Sequence, residues 1–270
     1  MTRLAAINAA RSFDAWAPDY DRYRPRYPQA LFEHIAAKLT LPAQPQVVDL
    51  GAGTGRASLA MAERGWQVTA VEPGGPMLDV LRERAFDAGL SVRTAQAPAE
   101  ETGLPKASAD LVTAAQAFHW FDRPRALAEM ARILRPGGGV ALFWNVRDET
   151  RSGFVSDYHE LLHGLFGDAD TGRYAQAGRS TGRHQTQAAL TDAPEFGEVE
   201  LDEVAHELST TATDFVGMAF TASYVQSLEP PDQERFRAEV STLLARHQLL
   251  SGEFSIPYRV DLWTARRITP

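Results

Sequence analysis

The sequence predicts an α/β domain built on a mostly parallel sheet, on three observations. Between residues 46 and 145, short apolar runs alternate with segments of helical periodicity, the signature of repeated β–α units. The first apolar run ends in a glycine-rich turn that opens directly into a helix. And 270 residues at 44% hydrophobic composition suffice to bury one large core, which excludes overall disorder.

The elements follow in order. "FDAWAPDYDRYRPRYPQALFEHIAAKL" is aromatic and Pro-punctuated before turning helical, so residues 1–40 read as an N-terminal lid and first helix. "QVVDL" is the first strand, and "RASLAMAERG" a helix closed by Gly65. "WQVTAVE" is the second strand; the helix after it carries Pro76 in its first turn and ends at Gly89. "LSVRTAQ" and "ADLVTAAQAF" supply strands three and four. Asp122 caps the next helix, Pro136 and its glycines end it, and "GVALFWN" is strand five. Residues 148–194 read as a polar cap insertion with one amphipathic helix, "FVSDYHELLHGLF". Residues 195–270 then give a strand, two helices and a last strand, "SIPYRVDLWTARR".

Composition narrows the function. The chain has no cysteine, so disulfides, thiolate metal sites and cysteine nucleophiles are excluded, as expected in a reducing cytoplasm. A formal charge of −8 offers no positive field for a phosphate backbone, so no nucleic-acid partner is expected. The opening residues lack an apolar stretch of signal-peptide length, and no later run reaches the roughly 18 apolar residues of a membrane span. The expectation is a soluble, cytoplasmic monomer or homodimer without membrane contact.

"VVDLGAGTG" sets Gly51, Gly53 and Gly55 between strand and helix, where the absence of Cβ lets backbone N–H groups approach a ligand. Glu72, ending the second strand, is a carboxylate placed to accept both hydroxyls of a ribose. The spacing G-x-G-x-G brings the third glycine earlier than a pyrophosphate clamp uses, which argues against NAD.

Together with "VEPGGPML", "APAEETGLP", "ADLVTAAQAFHWFD" and "LRPGG", in this order, the chain resembles the class I S-adenosylmethionine-dependent methyltransferases. "QAFHWFD" and "YRPRYP" are similar to the small-molecule group that includes trans-aconitate methyltransferase-like enzymes. The resemblance implies one methyltransferase domain over 1–270. Its fold would be a Rossmann-like, doubly wound, mostly parallel seven-stranded sheet whose cofactor core spans 46–145, with an antiparallel last hairpin, the lid and the helical cap. It implies S-adenosylmethionine as cofactor, S-adenosylhomocysteine as product and a small-molecule methyl acceptor.

Carried over by position, Asp49 and Gly51, Ala52, Gly53 and Gly55 would line the methionine portion and Glu72 the ribose. Pro73 and Met77 would flank the adenine, and Pro98, Ala99 and Glu100 would meet its edge; Pro98 stands where the family often has Asp or Ser. Tyr20 and Arg24 would close over the cofactor from the lid. Ligands in open α/β sheets lie beyond the carboxyl ends of the strands, which brings Gln116, His119 and Trp120 next to the reacting carbon. His119 is the candidate base; the alternative is a packing histidine that shapes the floor with Trp120. Arg147 is a candidate for an acidic acceptor or a surface pair, and Tyr158 and His159 line the acceptor space from the cap.

Two motifs compete. "HELLH", His159 to His163, matches a zinc-hydrolase helix, but the extended motif fails at Phe166, where glycine is required. "GRSTG", Gly178 to Gly182, matches a nucleophile elbow without the buried strand it needs, and reads as a flexible loop. Methyl transfer to a carboxylate, hydroxyl, amine or carbon is therefore the expected function, with no metal. The alternatives are a non-methylating S-adenosylmethionine-binding protein and, behind it, a zinc hydrolase.

Overall fold

The computed structural model describes residues 25–175 and 180–268. The chain runs α1 (Gln29–Lys38), β1 (Gln46–Leu50), α2 (Arg56–Glu63), β2 (Gln67–Val71), α3 (Gly75–Asp87), β3 (Val92–Ala95), β4 (Ala109–Ala115). It continues with α4 (Arg123–Ile133), β5 (Leu134–Arg147), α5 (Gly153–Ala175), α6 (Ser180–Thr191), β6 (Phe196–Thr211). Then come α7 (Ala212–Phe220), α8 (Ser223–Gln226), α9 (Pro230–Arg246) and β7 (Glu253–Arg267). One seven-stranded sheet forms in the order β3-β2-β1-β4-β5-β7-β6. β1 to β5 pair in parallel, and β7 runs antiparallel to both β5 and β6. The expected Rossmann-like, mostly parallel seven-stranded sheet is therefore present, but its antiparallel last pair, β6 and β7, is joined through α7 to α9 and is not a hairpin.

Alternation along the strands explains why both faces are covered. Val48, Leu50, Val112, Leu142 and Trp144 pack against α4 and Leu190 of α6. Their neighbours Val47, Leu111, Ala141 and Phe143 face Leu31, Phe32 and Ile35 of α1 and Met61 of α2. A period of two with both sets apolar is what a sheet sandwiched by helices requires.

Because β2 and β3 lie to one side of β1 and β4 to the other, strand order reverses between β1 and β4. The loops after these two strands part there and leave a crevice.

A third apolar cluster lies beyond the sheet. Phe154, Tyr158 and Leu162 of α5 pack with Phe215 of α7, Val225 of α8 and Phe236 and Val240 of α9, over Ile256 and Tyr258 of β7. The cap is thus assembled from two segments, one after β5 and one after β6. α6, within the stretch expected to be cap, packs on the sheet instead. Arg183 clamps it there, its Nε donating to Asp261 Oδ2 at 2.8 Å while Nη2 bonds Asp261 Oδ1 and Glu203.

Two local expectations are corrected. Gly178 and Arg179 lie outside the described residues, but from Ser180 onward the stretch is helix, not a flexible loop, because its polar run turns Thr186, Ala189 and Leu190 toward the core. And α4 ends at Ile133, before Pro136: Leu134 already pairs with Ala109, and the register breaks before Gly139 pairs with Leu111. Gly138 serves that irregularity, since a Cβ there would meet Asp110 O at 2.9 Å.

Candidate active site

The crevice is floored by the turn after β1. Gly51, Gly53 and Gly55 have φ of +64°, +56° and +84°, a left-handed run that side chains strongly disfavour. Each glycine serves differently. A Cβ on Gly51 would stand 2.7 Å from Ala117 Cβ, and one on Gly55 would stand 2.5 Å from Leu81 Cγ, so both are needed for packing. Beyond Gly53 nothing lies within 4 Å, so at that position the backbone faces open space.

Glu72 joins the loop to β2. Its buried carboxylate accepts the Gly53 N–H at 3.0 Å and the Gly74 N–H at 2.9 Å, so the acid is fixed beside the open glycine. Asp49 lies beneath the loop rather than in it. Ser58 Oγ donates to its Oδ2 at 2.6 Å and Thr113 Oγ1 to its Oδ1 at 2.7 Å, tying β1 to α2 and β4. Burial pushes its carboxyl up to about 6, although both hydroxyl bonds pull the other way.

Across the crevice, Gln116 leaves β4 with φ +55°, and its Nε2 donates to the Asn145 carbonyl at 3.3 Å. This bend swings residues 118–120 into a short 3-10 turn against the glycine loop, placing Phe121 near Gly51. His119 packs on Trp120, with ring centroids 5.1 Å apart, and the Trp144 Nε1–H donates to its Nδ1 at 3.4 Å. Burial, with the nearby Arg123 charge, lowers its pKa to about 4, so the ring is neutral but a weak base. The packing alternative fits this environment better than the base.

Among the residues expected to meet the adenine, Met77 is buried at the start of α3 and Pro73 half-buried, while Ala99 packs into the sheet core. Pro98 is half-buried beside it, and Glu100 uses Oε1 to accept the Asp122 N–H at 2.7 Å. Tyr20 and Arg24 lie outside the described residues.

Beyond the crevice, Arg147 ends β5 beneath the cap. Its guanidinium carbon lies 5.1 Å from the Tyr158 ring and 5.9 Å from those of Phe215 and Tyr258. Burial opposes the charge, yet the tyrosine oxygens, that of Tyr258 first, more than offset it and raise the pKa. Arg147 is thus no surface pair. Its Nε is buried without a hydrogen-bond partner, and it makes no ion pair among the described residues.

His159 directs Nδ1 to the Glu149 carboxylate, and His163 is exposed. Among the described residues no three His, Asp or Glu side chains group to hold a metal. Sequence reasoning missed Asn145 and His206, whose side chains meet at 2.9 Å.

The chain is similar in sequence and fold to known proteins. Residues 48–142 match the family described as Methyltransferase domain. An uncharacterized methyltransferase of Mycobacterium tuberculosis is 36% identical over 252 residues, covering 92% of each chain. A solved structure from Anaeromyxobacter dehalogenans, described as a type II methyltransferase, superposes with a TM-score of 0.71 at 29% identity, covering 92% of this chain and 100% of that one. The fold is also that of a Haemonchus contortus phosphoethanolamine N-methyltransferase solved with phosphomonomethylethanolamine and S-adenosylhomocysteine. That likeness has a TM-score of 0.57 at 15% identity over 98% of this chain and 59% of the other. The chain belongs to the class I S-adenosylmethionine-dependent methyltransferases.

Proposed function

We propose that this chain transfers a methyl group from S-adenosylmethionine to a small organic acceptor held between the sheet ends and the cap. The observation that carries the reading is the open left-handed Gly53 with the Glu72 carboxylate fixed beside it. A ribose fits there, because a buried acid already oriented by two N–H groups accepts sugar hydroxyls without reorganising. The cofactor would supply an electrophilic methyl carbon on a sulfonium.

The chain's own residues do the rest. Gly51 to Gly55 let the backbone meet the methionine portion, and Asp49 acts from below by holding the turn rather than by contact. Pro73 and Met77 flank the adenine; Pro98 and Ala99 bound its edge with main chain, since the Glu100 carboxylate is engaged elsewhere. Gln116 and Trp120 wall the reacting carbon, and the roles of Tyr20 and Arg24, outside the described residues, rest on the resemblance alone. In-line displacement needs alignment in a dry pocket above all, and the cap's apolar cluster excludes water.

Arg147 anchors an acidic group of the acceptor. A buried guanidinium among three rings, with no carboxylate paired to it among the described residues, gains a charge-assisted bond when an anion enters. Tyr158 frames that position, and His159, turned toward Glu149, borders it from the cap.

The test is calorimetry with S-adenosylhomocysteine followed by labelled-methyl transfer to a panel of small acids. Binding of S-adenosylhomocysteine but not NAD, with methylated product, is expected. Binding without transfer to any acceptor would favour the non-methylating reading, and absence of binding would end both.

A further inference from the structure

β5, β7 and β6 are paired so that Arg147 is opposite Tyr258 and Tyr258 is opposite His206. Residues directly opposite in a sheet project from the same face, so the three side chains stand in one row, level with the last residue of β5. That is the ligand end of the sheet. His206 stacks on Tyr258 with centroids 5.5 Å apart at 28°, and it reaches over β7 to Asn145, whose carbonyl receives the Gln116 amide. A continuous polar path therefore links the cofactor crevice to an imidazole under the cap.

The bond to Asn145 decides which nitrogen is available. Asn145 Oδ1 only accepts, so the His206 proton sits on Nε2 and the lone pair on Nδ1. Nδ1 makes no hydrogen bond among the described residues. The charged and titratable groups around the ring are Glu207 beside it on β6 and Tyr258 and Arg147 along the row. Burial keeps the imidazole neutral near neutral pH, with Glu207 pulling weakly the other way. His119 already receives the Trp144 N–H on its own Nδ1, and His159 in the cap directs its Nδ1 to Glu149.

Resting on the methyl-transfer reading, we propose that His206 is a catalytic residue whose Nδ1 takes the proton from a hydroxyl or protonated-amine nucleophile of the acceptor. In that step a bond forms between the acceptor oxygen or nitrogen and the methyl carbon. The methyl–sulfur bond breaks with its electron pair left on sulfur, and the acceptor proton passes to Nδ1 and then to solvent. Asn145 is the positioning residue that fixes the tautomer. The enzyme is thereby specific for protic acceptors, and methyl-ester formation is not its reaction.

The test uses the full chain with isotope-labelled histidine, saturated with S-adenosylhomocysteine. Ring-nitrogen NMR should show His206 protonated at Nε2 and bare at Nδ1; protonation at Nδ1 overturns the proposal whether or not any acceptor turns over. Labelled-methyl transfer is then compared for malate, aspartate and lactate against succinate and propionate. Turnover confined to the hydroxy and amino acids, falling about 100-fold or more in His206→Gln, supports it. So does recovery of His206→Ala by added imidazole, which a structural role would not show. Ester products, or an unaffected His206→Gln, overturn it. S-adenosylhomocysteine affinity should be unchanged in these variants. Failure of the unaltered protein to bind S-adenosylhomocysteine would instead sink the methyltransferase reading itself.

Discussion

Glu72 Oε2 accepts the Gly53 N–H at 3.0 Å across 19 residues of sequence, so acid and open glycine are one unit. If this unit grips the ribose, Glu72→Ala weakens S-adenosylhomocysteine binding by about 1.5–3 kcal/mol, as for loss of a charged acceptor. Calorimetry checks it; an unchanged affinity removes the assignment.

The glycines should separate by mechanism. Gly55→Ala forces Leu81 aside as well as straining φ, so it should lower unfolding free energy by about 2–3 kcal/mol. Gly53→Ala meets only the backbone strain, about 1 kcal/mol, but fills the space where ligand belongs. Denaturant melts and calorimetry on the same two variants should rank them oppositely.

Asp49 sets a pH signature. Its folded pKa, about 6, lies above the unfolded carboxyl value near 3.8. Its contribution to stability is therefore fully present below the unfolded value and lost as pH rises through 6. The loss is on the order of 3 kcal/mol. Asp49→Asn keeps one acceptor and one donor for the two hydroxyls, and the difference in stability between it and the unaltered protein should grow from pH 4 to 7. A difference flat with pH would refute the shift.

Arg147→Met preserves much of the packing under the cap while removing the charge. An acidic acceptor should then show KM raised about 10–100-fold, with S-adenosylhomocysteine affinity unaltered. Equal KM values would return Arg147 to a purely structural clamp.

Arg183→Met should cost about 3–5 kcal/mol, because it takes a principal cation from fully buried Asp261, leaving Arg259 Nε at 2.9 Å. A loss near 1 kcal/mol would mean that Arg259 suffices.

What the sequence disclosed is what local pattern encodes. Strand periodicity marks β1 to β5, and three glycines with Glu72 mark the crevice, because each depends on residues close in the chain. The cap's second half was read as helices, but nothing local says that α7 to α9 pack with α5. His206 and Asn145 are 61 residues apart and meet only because β7 lies between their strands. Gln116 gave no warning either, since a non-glycine residue at φ +55° is imposed by the surrounding fold. The polar composition around Ser180 hid a helix whose hold on the sheet is an ion pair to Asp261 across 78 residues.

The two segments that build the roof leave the sheet at the ends of β5 and β6 that carry Arg147 and Thr211. Their length and lining can therefore vary while the glycine turn after β1 stays intact. Acceptor choice is free to diversify on a constant engine, and relatives that share the glycine turn need not share a substrate.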